Sequence, residues 1–399
     1  MQRKLEILNI YFTGLFQGLV LVIVPAASLV LTTENKFGFS SSEYGFLFVP
    51  QVLMAILASL LGPGLVRRWG MRGVYRMGLV FNVLAAALIA ASQLFVDNHH
   101  WAYVSVILGT TFVGAGFGST LPTINVYATN FFPKNSASAL TVLHTLLGTG
   151  TALAPVLVTV LVKGIGWWLL PVMVLAILMV LLAVTFVLPF NDERKVSGAQ
   201  TPSLEKNTFL PARVRLFMLI VFLYGYCETI FANWAIIFLN KEKGIGLQEA
   251  GYALACFWVM VSVGRLLVSI LSVWISPRWF YRILPVFITA ALWGVAHANS
   301  SITGMLLFAM AGLACSAFFP LTFSLGQKGF EFIAERVSGW IMASYMLGYG
   351  SAAYGIGKLM ELTHASLGGW YVNSMVVGLG IVVLAFLLTR GESSSQILS

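Results

Sequence analysis

Residues 215–240 read RLFMLIVFLYGYCETIFANWAIIFLN, a run whose composition decides the fold. Positions 217–239 are almost wholly apolar and form about 35 Å of helix, enough to cross a hydrocarbon core of about 30 Å. Glu228 stands near the middle of this run. It is about 20 Å of helix from Arg215 and slightly less from Asn240. A carboxylate at that depth costs at least ~2.5–3.5 kcal/mol on insertion scales, so its default reading is functional. A purely structural acid, hydrogen-bonded to a neighbouring helix, is the competing reading. Small uncharged residues do that job at lower cost, which favours function.

The rest of the chain has the same character. Of its 399 residues, 59% are hydrophobic and 9% charged, against about 25% charged in a soluble domain. Strand-like alternation over ~10 residues, the mark of a membrane barrel, is absent, and helices satisfy their own backbone in lipid. The hydropathy pattern predicts spans over 6–31, 44–66, 73–94, 101–131, 138–162 and 167–188. A second set follows over 216–239, 248–273, 280–298, 302–325, 337–360 and 370–389. Residues 190–212 hold the one long polar linker, with Asn191, Asp192, Glu193, Arg194 and Lys195. The expected organisation is a six-helix bundle over 1–189, the linker, and a second bundle with a short tail over 213–399. The fold class is thus an all-α membrane protein of twelve transmembrane helices in two pseudo-symmetric halves.

Charge sets the expected orientation. Arg3, Lys4, Arg67, Arg68, Arg72, Arg76, Lys134, the linker cations, Arg265, Arg278, Arg282, Lys328, Arg336 and Arg390 fall on one side. Lys36, Lys163, Lys241, Lys243 and Lys358 fall on the other. The positive-inside rule then puts both termini and the linker in the cytoplasm, with the chain multi-pass in the cytoplasmic (inner) membrane. The formal charge of +9 follows from topology and gives no reason to expect nucleic acid; basic loops beside anionic lipid suffice. The first apolar run is too long for a signal-peptide core and continues past Pro25, so it reads as a retained helix. Cys227, Cys256 and Cys315 all lie inside spans and suggest neither a disulfide framework nor a metal site. No phosphate-binding Gly-x-x-x-x-Gly-Lys-Ser/Thr loop occurs, which argues against a primary pump.

The halves echo each other. Leu147-Gly148-Thr149-Gly150-Thr151-Ala152 in the fifth span matches Leu347-Gly348-Tyr349-Gly350-Ser351-Ala352 in the eleventh. Arg68-Trp69 and Tyr75-Arg76 match Arg278-Trp279 and Tyr281-Arg282 more weakly. Repeats of this kind mark transporters whose halves are related by an axis along the membrane normal.

Further blocks point the same way. They include Gly114-Ala115-Gly116-Phe117-Gly118, Asn125, Phe132-Pro133 and Leu143-His144 in the first half. In the second half they include Tyr224 through Glu228 to Trp234, Phe257-Trp258, Gly264-Arg265, Pro320 and Phe323-Ser324-Leu325-Gly326. Over essentially its whole length the chain resembles the major facilitator superfamily, and within it the fucose-permease-like sugar symporters. The resemblance implies alternating access around a cavity lined by the first, fourth, seventh and tenth spans. It has departures. The loop signature after the second span is degraded, with Arg67 where an Asp is usual. The acidic positions of fucose-type symporters in the first and fourth spans align with Leu21 and Leu121, so Glu228 is the remaining carboxylate candidate.

Polar residues at suitable depth on the cavity-lining spans are Gln17, Asn125, Glu228 and Asn233. Gln17 serves equally as glue between helices. Trp234, deeper than the interfacial Trp101, Trp167, Trp168 and Trp370, is a candidate to stack on a sugar. Glu228 has two open roles, carrying a proton as its surroundings alternate between dry and wet, or holding a cation. His144 is the other titratable candidate in a span. Arg67, Arg68, Arg72, Arg265, Arg278 and Arg336 are candidates for closing a cytoplasmic gate, with topology alone as their other explanation. The expected function is secondary active transport of a small polar solute, a sugar or sugar-like metabolite, by proton- or sodium-coupled symport. A proton-coupled exporter of a drug, siderophore or metabolite and a non-transporting sensor are the alternatives. No enzyme activity, catalytic residue, metal or cofactor is expected, and the chain is expected to act as a monomer in the lipid bilayer.

Overall fold

The computed structural model describes residues 2–190, 211–328, 330 and 334–390; the side chains of 137 and 334–336 fall outside that description. The expected linker lies almost wholly at 191–210, outside the described residues. The helices are α1 Gln2–Ala26, α2 Ser28–Leu31, α3 Ser41–Phe46, α4 Phe48–Ala91, α5 His99–Phe131, α6 Ser136–Gly164 and α7 Leu169–Val187. They continue as α8 Ala212–Ile237, α9 Leu247–Leu271, α10 Pro277–Ala296, α11 Ser301–Cys315, α12 Phe318–Gln327, α13 Ala334–Thr363 and α14 Leu367–Thr389.

Among the described residues, ten helical stretches are long and apolar enough to cross a membrane. One of them, Ser41–Phe95, turns back on itself at Gly70 (φ 74°, ψ 164°), a backbone conformation that suits only glycine, and so makes two passes. The 30-residue α13 supplies the last of twelve. An even number of passes returns both chain ends to one face, here the terminus face; the opposite face is distal. Large apolar side chains such as Phe186, Ile302 and Val376 stand exposed around the bundle, a surface that lipid tolerates and water does not.

The tenth span was expected unbroken over 302–325, but it divides into α11 and α12 at Ser316 and Ala317. Pro320 explains the break: it has no N–H to give the carbonyl four residues back, which is that of Ser316. The freed Ser316 oxygen instead accepts from Arg265 Nε at 3.1 Å, and the Cys315 oxygen accepts from the Tyr224 hydroxyl at 2.7 Å.

Glycine fixes how closely the spans approach. A Cβ on Gly18 would overlap the Leu147 carbonyl and one on Gly150 the Leu15 carbonyl, so α1 and α6 touch backbone to backbone. In the second half Gly225 meets the Tyr345 carbonyl and Gly348 the Phe222 carbonyl, joining α8 to α13 in the same way. The packing thus makes Gly150 equivalent to Gly348, and Leu147 to Tyr345. The sequence echo pairs Gly150 with Gly350 and is two residues out of register. Its other glycines face the opposite half: Gly148 meets Ser262, and Gly350 meets Val52.

The weaker echo holds residue for residue at Arg76 and Arg282. Each arginine clamps a threonine at the end of the sixth span of its half, Nε to the hydroxyl and Nη2 to the carbonyl oxygen. Arg76 does so on Thr185 at 3.2 and 2.6 Å, and Arg282 on Thr389 at 2.7 and 2.7 Å.

This register makes a testable distinction between two neighbouring glycines. Gly348→Ala forces α8 and α13 apart, an overpacking cost of about 1–3 kcal/mol, and lowers the melting temperature of the detergent-purified protein. Gly350→Ala sets a methyl at ordinary contact, 3.6 Å from Val52, and leaves that temperature unchanged. Equal effects at both positions would contradict the register.

Candidate functional site

Close packing of α8 on α13 brings two polar rungs together. Tyr345 and Tyr349 lie one turn apart on α13, and face Glu228 and Asn233 on α8. Glu228 is 5% exposed. Its Oε2 accepts from the Tyr345 hydroxyl at 2.6 Å, and its Oε1 is 2.9 Å from the hydroxyl of Tyr224, one turn earlier on α8. Rings of Tyr224, Tyr345, Phe318 and Phe319 pack around this carboxyl, with Phe319 and Tyr345 centroids 4.5 Å apart and those of Tyr224 and Phe318 5.3 Å apart. On the second rung, Asn233 Nδ2 donates to the Tyr349 hydroxyl at 3.1 Å.

Tyr345 of the first rung and both members of the second line a central cavity of about 80 Å³ between the halves, with Glu228 behind Tyr345 and off the cavity wall. Leu21, Pro25, Gln51 and Phe117 come from the first half; Asn233, Trp258, Tyr345 and Tyr349 come from the second. At roughly 30 Å³ per water, that space holds two or three water molecules, well short of the ~300 Å³ at which ligand pockets begin. The site is therefore contracted in this conformation. Leu21 of α1 is part of the wall. Trp258 Nε1 is buried here without a hydrogen-bond partner among the described residues, and an unpartnered buried donor on a cavity wall is a natural contact for a ligand.

The other expected site residues lie elsewhere. Gln17 accepts from Asn82 Nδ2 at 2.8 Å, and Asn82 also reaches the Thr120 hydroxyl at 3.2 Å, tying α1, α4 and α5 together inside the first half. Asn125 Oδ1, also in the first half, is buried without a partner among the described residues. Trp234 is fully buried, and the depth argument for it is corrected by geometry. Its ring is directed at Tyr44, with centroids 5.4 Å apart, and its Nε1 donates to the Ala352 carbonyl at 3.3 Å. Six residues of helix turn it about 120° away from Glu228. His144 lines a separate cavity with Arg265.

Among the expected gate arginines, Arg72 bonds the Thr185 and Leu188 carbonyls of its own half at 2.7 Å each, and Arg265 bonds Ser316 of its own half. Arg68 is exposed; Arg67 and Arg278 lie on the same terminus face. The side chain of Arg336 lies outside the described residues.

Among the described residues, polar bonds join the halves at the distal face. Ser42 donates from its backbone N and its hydroxyl to the Glu361 carboxylate at 2.8 and 2.6 Å. Tyr44 donates to the Asn233 carbonyl at 2.9 Å, and Lys241 to the Thr32 carbonyl at 2.7 Å. Lys163 bonds Gln248 across the same face. Asn233 thus joins the two regions, with its backbone in the distal closure and its side chain on the cavity. Sequence reasoning missed Tyr224, Tyr345, Tyr349, Trp258 and Glu361. The spacing of Tyr224 from Glu228, one helical turn, was the one signal available.

No group of three His, Cys, Asp or Glu side chains among the described residues is arranged to hold a metal ion. Residues 10–353 match the family model of the Major Facilitator Superfamily. The glucose/galactose transporter of Brucella abortus biovar 1 (strain 9-941) is 27% identical over 287 residues, covering 66% of this chain and 67% of its own. Among solved structures, a D-xylose-proton symporter superposes with a TM-score of 0.76 at 15% identity, over 96% of both chains. The E. coli fucose:proton symporter superposes with a TM-score of 0.63 at 16% identity, over 98% of this chain and 100% of its own.

The distal closure has a direct test. A Val52→Cys reporter in a Cys256→Ser background lines the cavity and takes up an impermeant maleimide applied to the distal face only when that face opens. Glu361→Ala removes two charge-assisted bonds worth about 1.5 kcal/mol or more each, so labelling should rise at least ten-fold. Unchanged labelling would mean the closure does not rest on Glu361.

Proposed function

Since the chain belongs to the Major Facilitator Superfamily, we propose that it is a secondary active transporter carrying a sugar or sugar-like metabolite by alternating access, coupled to protons at Glu228. The observation that carries the coupling is a count of hydrogens. Three short contacts link Tyr345, Glu228, Tyr224 and the Cys315 carbonyl. The two phenols supply two hydrogens, and a carbonyl supplies none. An ionised Glu228 would leave one oxygen–oxygen contact without a hydrogen. A protonated carboxyl completes the chain: Glu228 Oε1 donates to Tyr224, Tyr224 donates to Cys315, and Tyr345 donates to Oε2. The same arrangement disfavours sodium, because both carboxyl oxygens already face hydroxyl groups.

The sugar assignment draws on the relatives and on the chemistry of the cavity. Trp258 and Phe117 offer ring faces for the apolar side of a pyranose, while Asn233, Gln51, Tyr349 and the Trp258 indole N–H suit its hydroxyls. The distribution of Arg and Lys supports cytoplasmic termini, so the conformation with its distal bonds made is closed to the outside. Loading from outside then requires Ser42–Glu361 and Tyr44–Asn233 to part. When they re-form, the Asn233 backbone is gripped as its side chain meets the solute. Proton release to the cytoplasm follows once water reaches Glu228. We read the working unit as a single chain in the inner membrane, since both rungs and the closure are made within it.

Proteoliposomes with labelled monosaccharides test this reading. Glu228→Gln keeps a hydrogen-bonding side chain but carries no exchangeable charge, so solute exchange should persist while accumulation driven by a pH gradient falls at least ten-fold. Accumulation equal to that of the unaltered protein would remove Glu228 from the coupling role.

A further inference from the structure

A second cavity, of about 260 Å³, lies between the halves nearer the terminus face. His144 and Thr145 of α6 wall it from the first half; Ser262 and Arg265 of α9 and Pro320 of α12 wall it from the second. Arg265 is oriented by its Nε bond to the Ser316 carbonyl, the acceptor that Pro320 leaves free. That is the one hydrogen bond it makes among the described residues, and no carboxylate among them lies within 4.0 Å of it. His144, on the facing half, has both ring nitrogens unpartnered among the described residues and shares the wall of this cavity with Arg265.

A guanidinium at membrane depth with no counter-charge is costly unless an anion joins it. If Glu228 carries a proton, as the proposed function holds, it supplies none. Arg265 therefore differs from Arg72, Arg76 and Arg282, whose guanidinium groups are spent on backbone and threonine oxygens. Its forked Nη groups suit a carboxylate bound through two oxygens. Trp258 is seven residues before Arg265, two turns up the same face of α9 and about 10 Å along its axis. One solute can then lie with its ring toward Trp258 and a charged end toward Arg265.

We propose that Arg265 and His144 form an anion subsite, and that the transported solute is an acidic monosaccharide whose carboxylate occupies it. Arg265 holds the charge, and an N–H of His144 donates from the other half, so the bound carboxylate spans the two bundles. This rests on the transport reading and narrows it. One proton on Glu228 and one carboxylate on Arg265 also make each transport cycle electrically neutral.

The experiment uses the full-length protein with sodium D-galacturonate, D-galactose and sodium chloride as probes. Tryptophan fluorescence titrations in low-salt buffer should give galacturonate at least ten-fold tighter binding than galactose. Arg265→Gln should remove that preference by weakening galacturonate at least ten-fold, with an unaltered gel-filtration profile and far-UV circular dichroism reporting that the variant is folded; Arg265→Lys should restore part of it. In proteoliposomes, galacturonate uptake should follow an imposed pH gradient and ignore a potassium–valinomycin voltage. Equal or tighter binding of galactose, galacturonate affinity unaltered in Arg265→Gln, or uptake that responds to voltage would overturn the proposal while transport itself stands. Binding of chloride at Arg265 without competition from galacturonate would make this an inorganic-ion site and overturn it too. Failure of both sugars, with every other monosaccharide, in counterflow would bring down the transport reading and this proposal with it.

Discussion

The approach of α8 to α13 at Gly225 and Gly348 sets the distance over which the second half operates. With a methyl group at either place the helices would separate, and the Tyr345 hydroxyl would no longer reach Glu228. The glycines carry no chemistry of their own. They let backbone meet backbone, so that side chains of ordinary length meet as hydrogen-bond partners. Packing, a buried carboxyl and a cavity wall are therefore one arrangement seen at three scales.

Spans and halves were legible in the sequence because hydropathy and charge act over twenty residues at a time. Glu228 was legible for a related reason: the cost of a buried acid is a property of the residue and its depth, with no need of a partner. Tyr345 was not. A tyrosine in a membrane sequence is as often an interfacial anchor, and the partner that gives Tyr345 its role lies 117 residues away along the chain. Depth alone also cannot tell which way a residue faces. Trp234 and Trp258 are both deep, yet the first is locked against Tyr44 and Ala352 and the second borders the cavity.

The repeat was legible in outline and misread in register, for a physical reason. A glycine pattern two residues apart fits two alignments, and only the carbonyl that each glycine meets separates them. In the packing register Leu147 occupies the place of Tyr345. The first half thus has an apolar side chain where the second has a hydroxyl. Polar work is concentrated in the second bundle, and the first contributes Gln51 and Phe117 as a facing wall.

Pro320 has a consequence beyond the bend it makes. By withholding a single amide hydrogen it leaves the tenth span jointed, and the joint presents adjacent carbonyls to two different clients, Tyr224 and Arg265. A swing about that joint would carry the oxygen held by Arg265 relative to the one held by Tyr224. A guanidinium on one helix and a phenol on another thus grip the two sides of a single hinge, and each registers the movement without touching the other.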